Sequence, residues 1–267
     1  MRQKLAIFFV FLSWAFFLFP SFVDNCESKE IKTIHVYVAL CDNKYQGIAP
    51  VKPSLGNGDD PDRNLYWGAM YGIKSYFKRS SKWQLLKTIK KVRKYVLERC
   101  IFKYRQEAVY LVADAYRGRN IKEAIIDFLK SASDTTKESV LLDSTAKRIK
   151  IPCAGSAELI VFLGHNGLMD FDLDRVPKGG KKNKRKIIIL ACKSKSFFQT
   201  AVKSTAAFPL LWTTGLMAPE AYTLEAAVAG WIAGESNEAI RQRAIRAYHR
   251  YQRCGIKAAA GLLVSGW

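Results

Sequence analysis

The chain has 267 residues, of which 49% are hydrophobic and 12% aromatic. That length and apolar content suit one sizeable core and exclude an intrinsically disordered chain. The formal net charge is +20, from 43 basic and 23 acidic residues, which raises the question of a polyanionic partner. Because the lysines are spread over several segments, we expect a generally basic protein with no nucleic-acid partner.

Residues 1–24 are typical of an export signal. Arg2 and Lys4 precede Leu5–Phe19, an apolar run without charge. This run is shorter than the roughly 20 residues that a membrane-spanning helix usually needs. No clean cleavage site follows it, so a cleaved signal and an uncleaved signal anchor both remain open. Either one predicts an exported protein, periplasmic or secreted, and an uncleaved signal would associate it with the membrane.

Five apolar segments after the signal predict buried strands. Four of the five are continuous apolar runs without alternation, which is typical of a parallel sheet covered on both faces. The segments are Thr33–Cys41, Glu107–Tyr116, Ala157–Gly164, Lys184–Cys192 and Phe208–Gly215.

The stretches between these strands favour helices. The clearest pattern is Trp83–Cys100, where an apolar stripe is flanked by lysines and arginines, so we expect an amphipathic helix there. Ser139–Lys147 fits either a short strand or a loop. Pro219 suits the first turn of one helix, and Ser236 suits the N-cap of the last one. The other predicted helices cover residues 65–78, 121–133, 218–234 and 237–254.

Strands that alternate with helices predict an α/β fold, with a mostly parallel sheet and helices on both faces. Residues 30–267 would form this single domain. Ligands of such sheets bind at the carboxyl ends of the strands, so the residues at those ends are the first candidates for a functional site.

Two chemically competent side chains end consecutive predicted strands. His165 follows the third strand, and Cys192 ends the fourth. If these strands are neighbours, the imidazole and the thiol share one crevice, as a thiol nucleophile and its base require. The backbone N–H groups of Asn166 and Gly167 would then be placed to bind a developing oxyanion. Taken alone, a cysteine at a strand end is usually a small buried hydrophobe.

The pattern LIVFLGHNG…IIILACKS resembles the caspase-like cysteine peptidases, which include caspases, metacaspases, gingipains, clostripain and CHAT-type domains. The first strand with its exit, VALCDNKYQGIAP, and the segment LLWTTGLMAPEAYTLEAAVAGWIAG are also similar to parts of that fold. The resemblance spans roughly residues 34–253. It implies a three-layer sandwich, a His165/Cys192 dyad and a peptide or protein substrate.

The resemblance also implies a substrate pocket near the end of the first strand. Asp42 lies there and would suit a Lys or Arg side chain of the substrate. Asp170 and Thr213 are further candidates for substrate binding. The chain departs from the family pattern in two places, because Asn166 separates His165 from the next glycine and no helix fits between the two strands.

Two other functions remain open. An inactive relative would bind a peptide or ligand in the same crevice without cleaving it. A basic surface protein would instead bind anionic polymers through Lys87–Lys94 and Lys178–Lys186. The first function needs a reactive Cys192, whereas the last predicts binding that weakens steeply with salt.

No cofactor or metal is expected. The acidic loop after the first strand offers oxygen ligands at close spacing, but it lacks the twelve-residue calcium loop with its terminal Glu. The six cysteines show no CxxC spacing for zinc, and the chain contains no GxGxxG or phosphate-binding loop. The oxygen ligands of the acidic loop are Asn57, Asp59, Asp60 and Asp62.

Overall fold

The computed structural model describes residues 31–143, 148–180 and 185–267. The predicted export segment and Cys26 lie outside these ranges. The strands are β1 (Lys32–Ala39), β2 (Trp83–Arg93), β3 (Val96–Tyr104), β4 (Val109–Tyr116), β5 (Lys137–Asp143), β6 (Arg148–Ala154), β7 (Leu159–Leu163), β8 (Lys186–Leu190), β9 (Phe208–Thr213) and β10 (Leu263–Val264). The α-helices are α1 (Ile73–Arg79), α2 (Ile121–Ala132), α3 (Ser194–Thr205), α4 (Ala221–Ile232), α5 (Asn237–Gln252) and α6 (Ile256–Leu262).

Eight of these strands form one sheet in the order β10-β9-β8-β7-β1-β4-β3-β2. The five central strands, from β9 to β4, run parallel to one another. The flanking strands β10, β3 and β2 pair antiparallel. The remaining pair, β5 and β6, is a separate antiparallel hairpin. The predicted α/β class and mostly parallel sheet are therefore confirmed.

Helices cover both faces of the large sheet and make three layers. One face packs against α1, α4, α5 and α6, and its core includes Val36, Val161 and Ile188. The other face packs against α2 and α3, and its core includes Phe162 and Ile189. Because both faces of the central strands are buried, every residue from Leu159 to Leu163 is apolar and inaccessible to solvent.

The prediction of a helix over Trp83–Cys100 is wrong, because this segment forms most of the β2–β3 hairpin. The pairing shifts register between Leu85 and Lys87 and again between Lys90 and Arg93. Each shift inserts an extra residue, so apolar side chains three residues apart return to the same side of the strand. A bulged strand thus reproduced the spacing of an amphipathic helix.

Smaller differences have local causes. Within residues 65–78 only Ile73 onwards is helical, because Gly68 and Gly72 let the chain turn tightly against its own backbone. Pro219 precedes the first residue of α4 by two positions and is not in its first turn. Ser236 does cap α5, since its hydroxyl accepts a hydrogen bond from the Ala239 N–H at 3.2 Å. Helices α3 and α6 and strands β6 and β10 were not predicted.

The stretch predicted as either strand or loop covers the last five residues of β5, and residues 144–147 lie outside the described ranges. Between β7 and β8 the described residues contain only the short 3-10 turn Gly167–Met169, in agreement with the expected absence of a helix there. Within the described ranges, no helix is both long enough and apolar enough to cross a membrane.

A buried ionic cluster lies inside the sheet, and it was not predicted. The Asp114 carboxylate on β4 receives two hydrogen bonds from the Arg99 guanidinium on β3, both 2.6 Å long. His35 on β1 lies 3.2 Å from the same carboxylate through Nε2, while its Nδ1 accepts a hydrogen bond from the Ala154 N–H. Burial acts to raise the pKa of Asp114, but these bonds outweigh it and hold that pKa well below its usual range.

Candidate functional site

The order of the strands creates a topological switch point between β1 and β7. From β1 the chain moves toward β4 on one side, and from β7 it moves toward β8 on the other. The segments that leave these two neighbouring strands therefore diverge at the carboxyl edge of the sheet. Such a switch point is where open α/β sheets bind their ligands.

His165 lies at this switch point, two residues beyond β7, and is buried. Its Nε2 is 2.6 Å from an Asp170 carboxylate oxygen, which also accepts a hydrogen bond from the Gly47 N–H at 3.1 Å. Asp170 thus holds both the histidine ring and the loop that leaves β1. A carboxylate oxygen is an acceptor, so Nε2 donates and the lone pair of Nδ1 stays available as a base.

Gly164 explains why the strand stops before the histidine. Its φ is +147°, and a Cβ at this position would lie 2.9 Å from the Ala39 carbonyl oxygen on β1. A glycine is therefore needed for the chain to turn so close to its neighbour.

Cys192 lies two residues beyond β8 and is partly accessible to solvent. Its sulfur accepts a hydrogen bond from the Met217 N–H at 3.4 Å. Helix α3 begins just after it at Ser194, and Lys193 makes the turn in the left-handed conformation. The thiol also donates to the Met217 carbonyl oxygen at 3.6 Å, so both backbone groups of Met217 bind the sulfur.

The two candidate residues follow neighbouring strands at the same edge of the sheet. Leu163 on β7 and Leu190 on β8 are register partners and belong to the same core. His165 and Cys192 each lie two residues beyond this pair, after the chain has left the regular strand conformation at Gly164 and Ala191. No hydrogen bond joins the imidazole to the thiol within the part of the chain that the structure describes.

Asn166 connects the two strand exits through its side chain. Its amide nitrogen donates to the Cys192 carbonyl oxygen at 2.6 Å, and its amide oxygen accepts from the Leu168 N–H at 3.1 Å. This side chain is fully buried. Sequence reasoning considered only the backbone of this residue and missed the role of its side chain in fixing Cys192.

Asp42 is also at the switch point, but its carboxylate is occupied by its own loop. One oxygen accepts hydrogen bonds from the Lys44 and Tyr45 N–H groups, at 3.0 and 3.3 Å. The other packs so closely against Gly58 and Gly118 that a Cβ on either glycine would overlap it. The side chain is 4% exposed. Asp42 therefore shapes the exit of β1, as Asp often does at turns.

Thr213 does not line the crevice. It is fully buried, and its hydroxyl accepts from the Ser194 N–H at 3.1 Å and donates to the Ala191 carbonyl oxygen. Its own N–H donates to the Ser194 hydroxyl at 2.9 Å. Thr213 therefore anchors the start of α3 behind Cys192.

Two residues of the site had no signal in the sequence. The buried Gln46 side chain donates to the carbonyl oxygens of Leu40 and Gly118, at 2.8 and 3.1 Å, and so joins the exits of β1 and β4. The buried Tyr66 lies close to the sulfurs of Cys41 and Cys192, and burial raises its pKa well above the usual value. Only the folded chain brings these positions, separate in sequence, to one edge.

Among the described cysteines, Cys192 is the one at the crevice with access to solvent. Burial raises the pKa of Cys41 to about 11 and that of Cys100 and Cys153 to about 12, which leaves these thiols unreactive. Cys254 is exposed and lies far along the chain, one residue beyond the C-cap Arg253 of α5. None of these five forms a disulfide.

Exposed apolar side chains stand on the segments that follow four of the parallel strands. Leu216 is 70% exposed, and the neighbouring Gly215 carbonyl accepts a hydrogen bond from the Lys193 N–H beside Cys192. The others at this edge are Tyr45, Met169 and Phe197. Within the described ranges, no group of three or more His, Cys, Asp or Glu side chains is arranged to hold a metal ion.

Comparisons of the chain with protein-family models, with curated proteins and with solved structures each gave no match. The proposed function therefore rests only on the mixed α/β sandwich and on the residues at its switch point.

Proposed function

We propose that this chain is a thiol-dependent peptidase in which Cys192 is the nucleophile and His165 the base. The observation that supports this most is that they follow neighbouring parallel strands, with His165 held by Asp170 at 2.6 Å. Acyl transfer requires a nucleophile, a base and an orienting group, and Cys192, His165 and Asp170 offer these three residue types at one edge of the sheet. Asp170 would be a positioning residue.

The reaction follows from these roles. Nδ1 of His165 takes the thiol proton as the Cys192 sulfur attacks the peptide carbonyl carbon. The carbon–sulfur bond forms, the carbon–nitrogen bond breaks, and the histidine passes its proton to the leaving amine. Water then attacks the thioester carbon while the histidine takes its proton; a carbon–oxygen bond forms, the carbon–sulfur bond breaks, and the proton returns to the Cys192 sulfur. Among the described residues, none accepts a hydrogen bond from the Gly167 or Cys192 N–H, so both are free to stabilise the oxyanion.

We expect the substrate to present apolar side chains, because exposed apolar groups surround the carboxyl edge. We do not carry forward a preference for Lys or Arg, since the Asp42 carboxylate is already occupied. Export remains part of the proposal on the basis of Leu5–Phe19, a segment outside the described residues.

The test is hydrolysis of fluorogenic peptides that differ in the residue before the cleaved bond, with arms for Lys or Arg and for apolar residues. Cys192→Ala should abolish hydrolysis, and His165→Ala should lower kcat about 100-fold or more. Asp170→Asn should lower kcat with KM unchanged and shift the pH profile, because the ring loses its orienting acceptor. Unchanged hydrolysis in Cys192→Ala would refute the proposal.

A second function is favoured by one observation: the Cys192 sulfur is bonded to Met217, and no hydrogen bond joins it to His165 among the described residues. In that case the crevice binds a peptide without cleaving it. The alkylation rate of the Cys192 thiol distinguishes the two functions. It is measured in a protein that carries Cys254→Ser, and mass spectrometry locates the label. A peptidase predicts that Cys192 reacts faster than an ordinary exposed thiol and loses that advantage in His165→Ala. A slow Cys192 with no hydrolysis supports the binding protein.

A further inference from the structure

The β2–β3 hairpin carries a large share of the excess positive charge. Residues 82–105 carry nine Lys and Arg residues and one acidic residue, Glu98. The hairpin is closed at its base by the Arg105 N–H, which donates to the Lys82 carbonyl at 2.9 Å. Under a tenth of the chain thus contributes eight of the twenty net positive charges.

The acidic groups near the hairpin are already matched by buried or half-buried cations. Glu98 is paired with Lys74 at 2.8 Å, and Asp114 is paired with Arg99. Arg93 lies 3.2 Å from Glu138. Four further lysines on β2 and its turn are exposed and form no ion pair with any described residue. We name them the basic edge: Lys87, Lys90, Lys91 and Lys94.

Strand β2 is the outermost strand of the sheet, so long lysine side chains on either of its faces can reach past the edge. An open edge can also accept an added strand from another protein. Here two register shifts interrupt the edge, and Lys91 adopts a positive φ of 52° at the second. Bulges and edge lysines discourage strand addition. A partner is therefore recognised by side-chain charge.

We infer that the basic edge binds a linear acidic polysaccharide, an activity separate from the proposed peptidase. The large apolar side chains of the hairpin are all at least partly buried among the described residues, and Trp83 is 2% exposed. Single-stranded nucleic acid binds on exposed aromatic platforms, and membrane-surface helices insert exposed apolar side chains. The basic edge offers neither and presents charge alone. A linear polysaccharide needs neither, because its sulfates and carboxylates pair with lysines by charge alone. Its flexible chain can follow the bulged strand, whereas a DNA duplex is rigid and a bilayer surface is flat.

The test measures binding of the full chain to heparin, the sulfated probe, as a function of salt. Parallel arms use a single-stranded oligonucleotide, a DNA duplex and vesicles containing an anionic phospholipid. Changing all four lysines of the basic edge to Gln should weaken heparin binding about tenfold or more. The dependence of log K on log salt should become shallower by about one for each lysine that pairs with an anionic group of the polymer.

A control variant has the same change in net charge at another surface. Arg246, Arg250, Arg253 and Lys257 are exposed on and after α5. Their change to Gln should alter heparin affinity less than about twofold. Equal losses in the two variants would overturn the proposal in favour of a general charge effect. Tighter lysine-dependent binding of an oligonucleotide, duplex or vesicle than of heparin would also overturn it.

A single substitution separates charge from stability. Lys91→Gly removes one charge and relieves the positive φ, because glycine adopts that conformation without steric cost. We expect the melting temperature to hold or rise while heparin affinity falls about two- to threefold. Unchanged affinity would remove Lys91 from the binding surface.

Discussion

Replacing Asp114 with Asn should strongly destabilise the fold. The carboxylate is completely buried, and the Arg99 side chain that it pairs with is 7% exposed. Removing one partner of a buried ion pair costs about 3–5 kcal/mol, because the remaining charge is left without compensation. Asn keeps one acceptor oxygen for the guanidinium, so we expect about 3 kcal/mol, the lower end of that range. For a domain near this size that corresponds to a melting temperature about 6–12 °C lower.

Thermal unfolding followed by circular dichroism measures this loss, and Asp143→Asn is the matched control. Asp143 pairs with Arg148 at 2.8 Å, a distance close to that of the buried pair, but both side chains are 68% exposed. An exposed pair contributes about 0–1 kcal/mol. Adding Arg99→Met to Asp114→Asn should recover part of the stability, because it removes the uncompensated charge. Equal effects of the two Asp substitutions, or no recovery in the double variant, would refute the reasoning from burial.

Three further predictions concern stability and the site. Burial lowers the pKa of His35, so below about pH 6.5 the unfolded chain binds more protons than the folded chain. The stability that is present above that pH is therefore lost as the pH falls. The melting temperature should drop more from pH 7.5 to 5.5 in the wild type than in His35→Gln, and parallel curves for the two proteins would contradict this. A Cβ at Gly72 would meet backbone atoms at 2.5 Å, whereas one at Gly261 in α6 meets nothing within 4 Å. Gly72→Ala should therefore lower the melting temperature, and Gly261→Ala should raise it by improving helix propensity. A fall in both variants would argue against the packing at Gly72 as the cause. Asn166→Ala should lower the free energy of unfolding by about 1–3 kcal/mol and reduce peptide hydrolysis, because it breaks the 2.6 Å hydrogen bond that fixes Cys192. A variant with full activity and stability would show that this bond is dispensable.

Local composition determined the central strands. A strand buried on both faces is predominantly apolar, and the runs 159–163 and 187–190 show this in their own residues. The buried polar exceptions on the central strands include His35 and Asp114, which lie 3.2 Å apart. The placement of His165 and Cys192 just beyond these strands followed directly. The N-cap at Ser236 was equally local, since it depends on a hydroxyl and an N–H three residues away.

The hairpin at β2 shows where local pattern misleads. The pattern of Trp83–Arg93 fits a helix by spacing, and only the register shifts against β3 explain that spacing in a strand. A bulge is defined by its pairing partner, so the pattern of one strand cannot reveal it. Because this basic segment is the outermost strand and not a helix, its exposed lysines lie along the sheet and form the basic edge.

Tertiary structure decided what the candidate residues do. Asp42 and Thr213 have the right chemistry for substrate binding, but their polar atoms are bound within the protein. Asp170 also accepts a hydrogen bond from the Gly47 N–H, 123 residues earlier in the chain, which only the folded strand order brings against it. His35 and Asp114 meet across 79 residues. A hydrogen bond depends on position in space, and the sequence alone fixes that position only within the reach of a turn or one helical repeat.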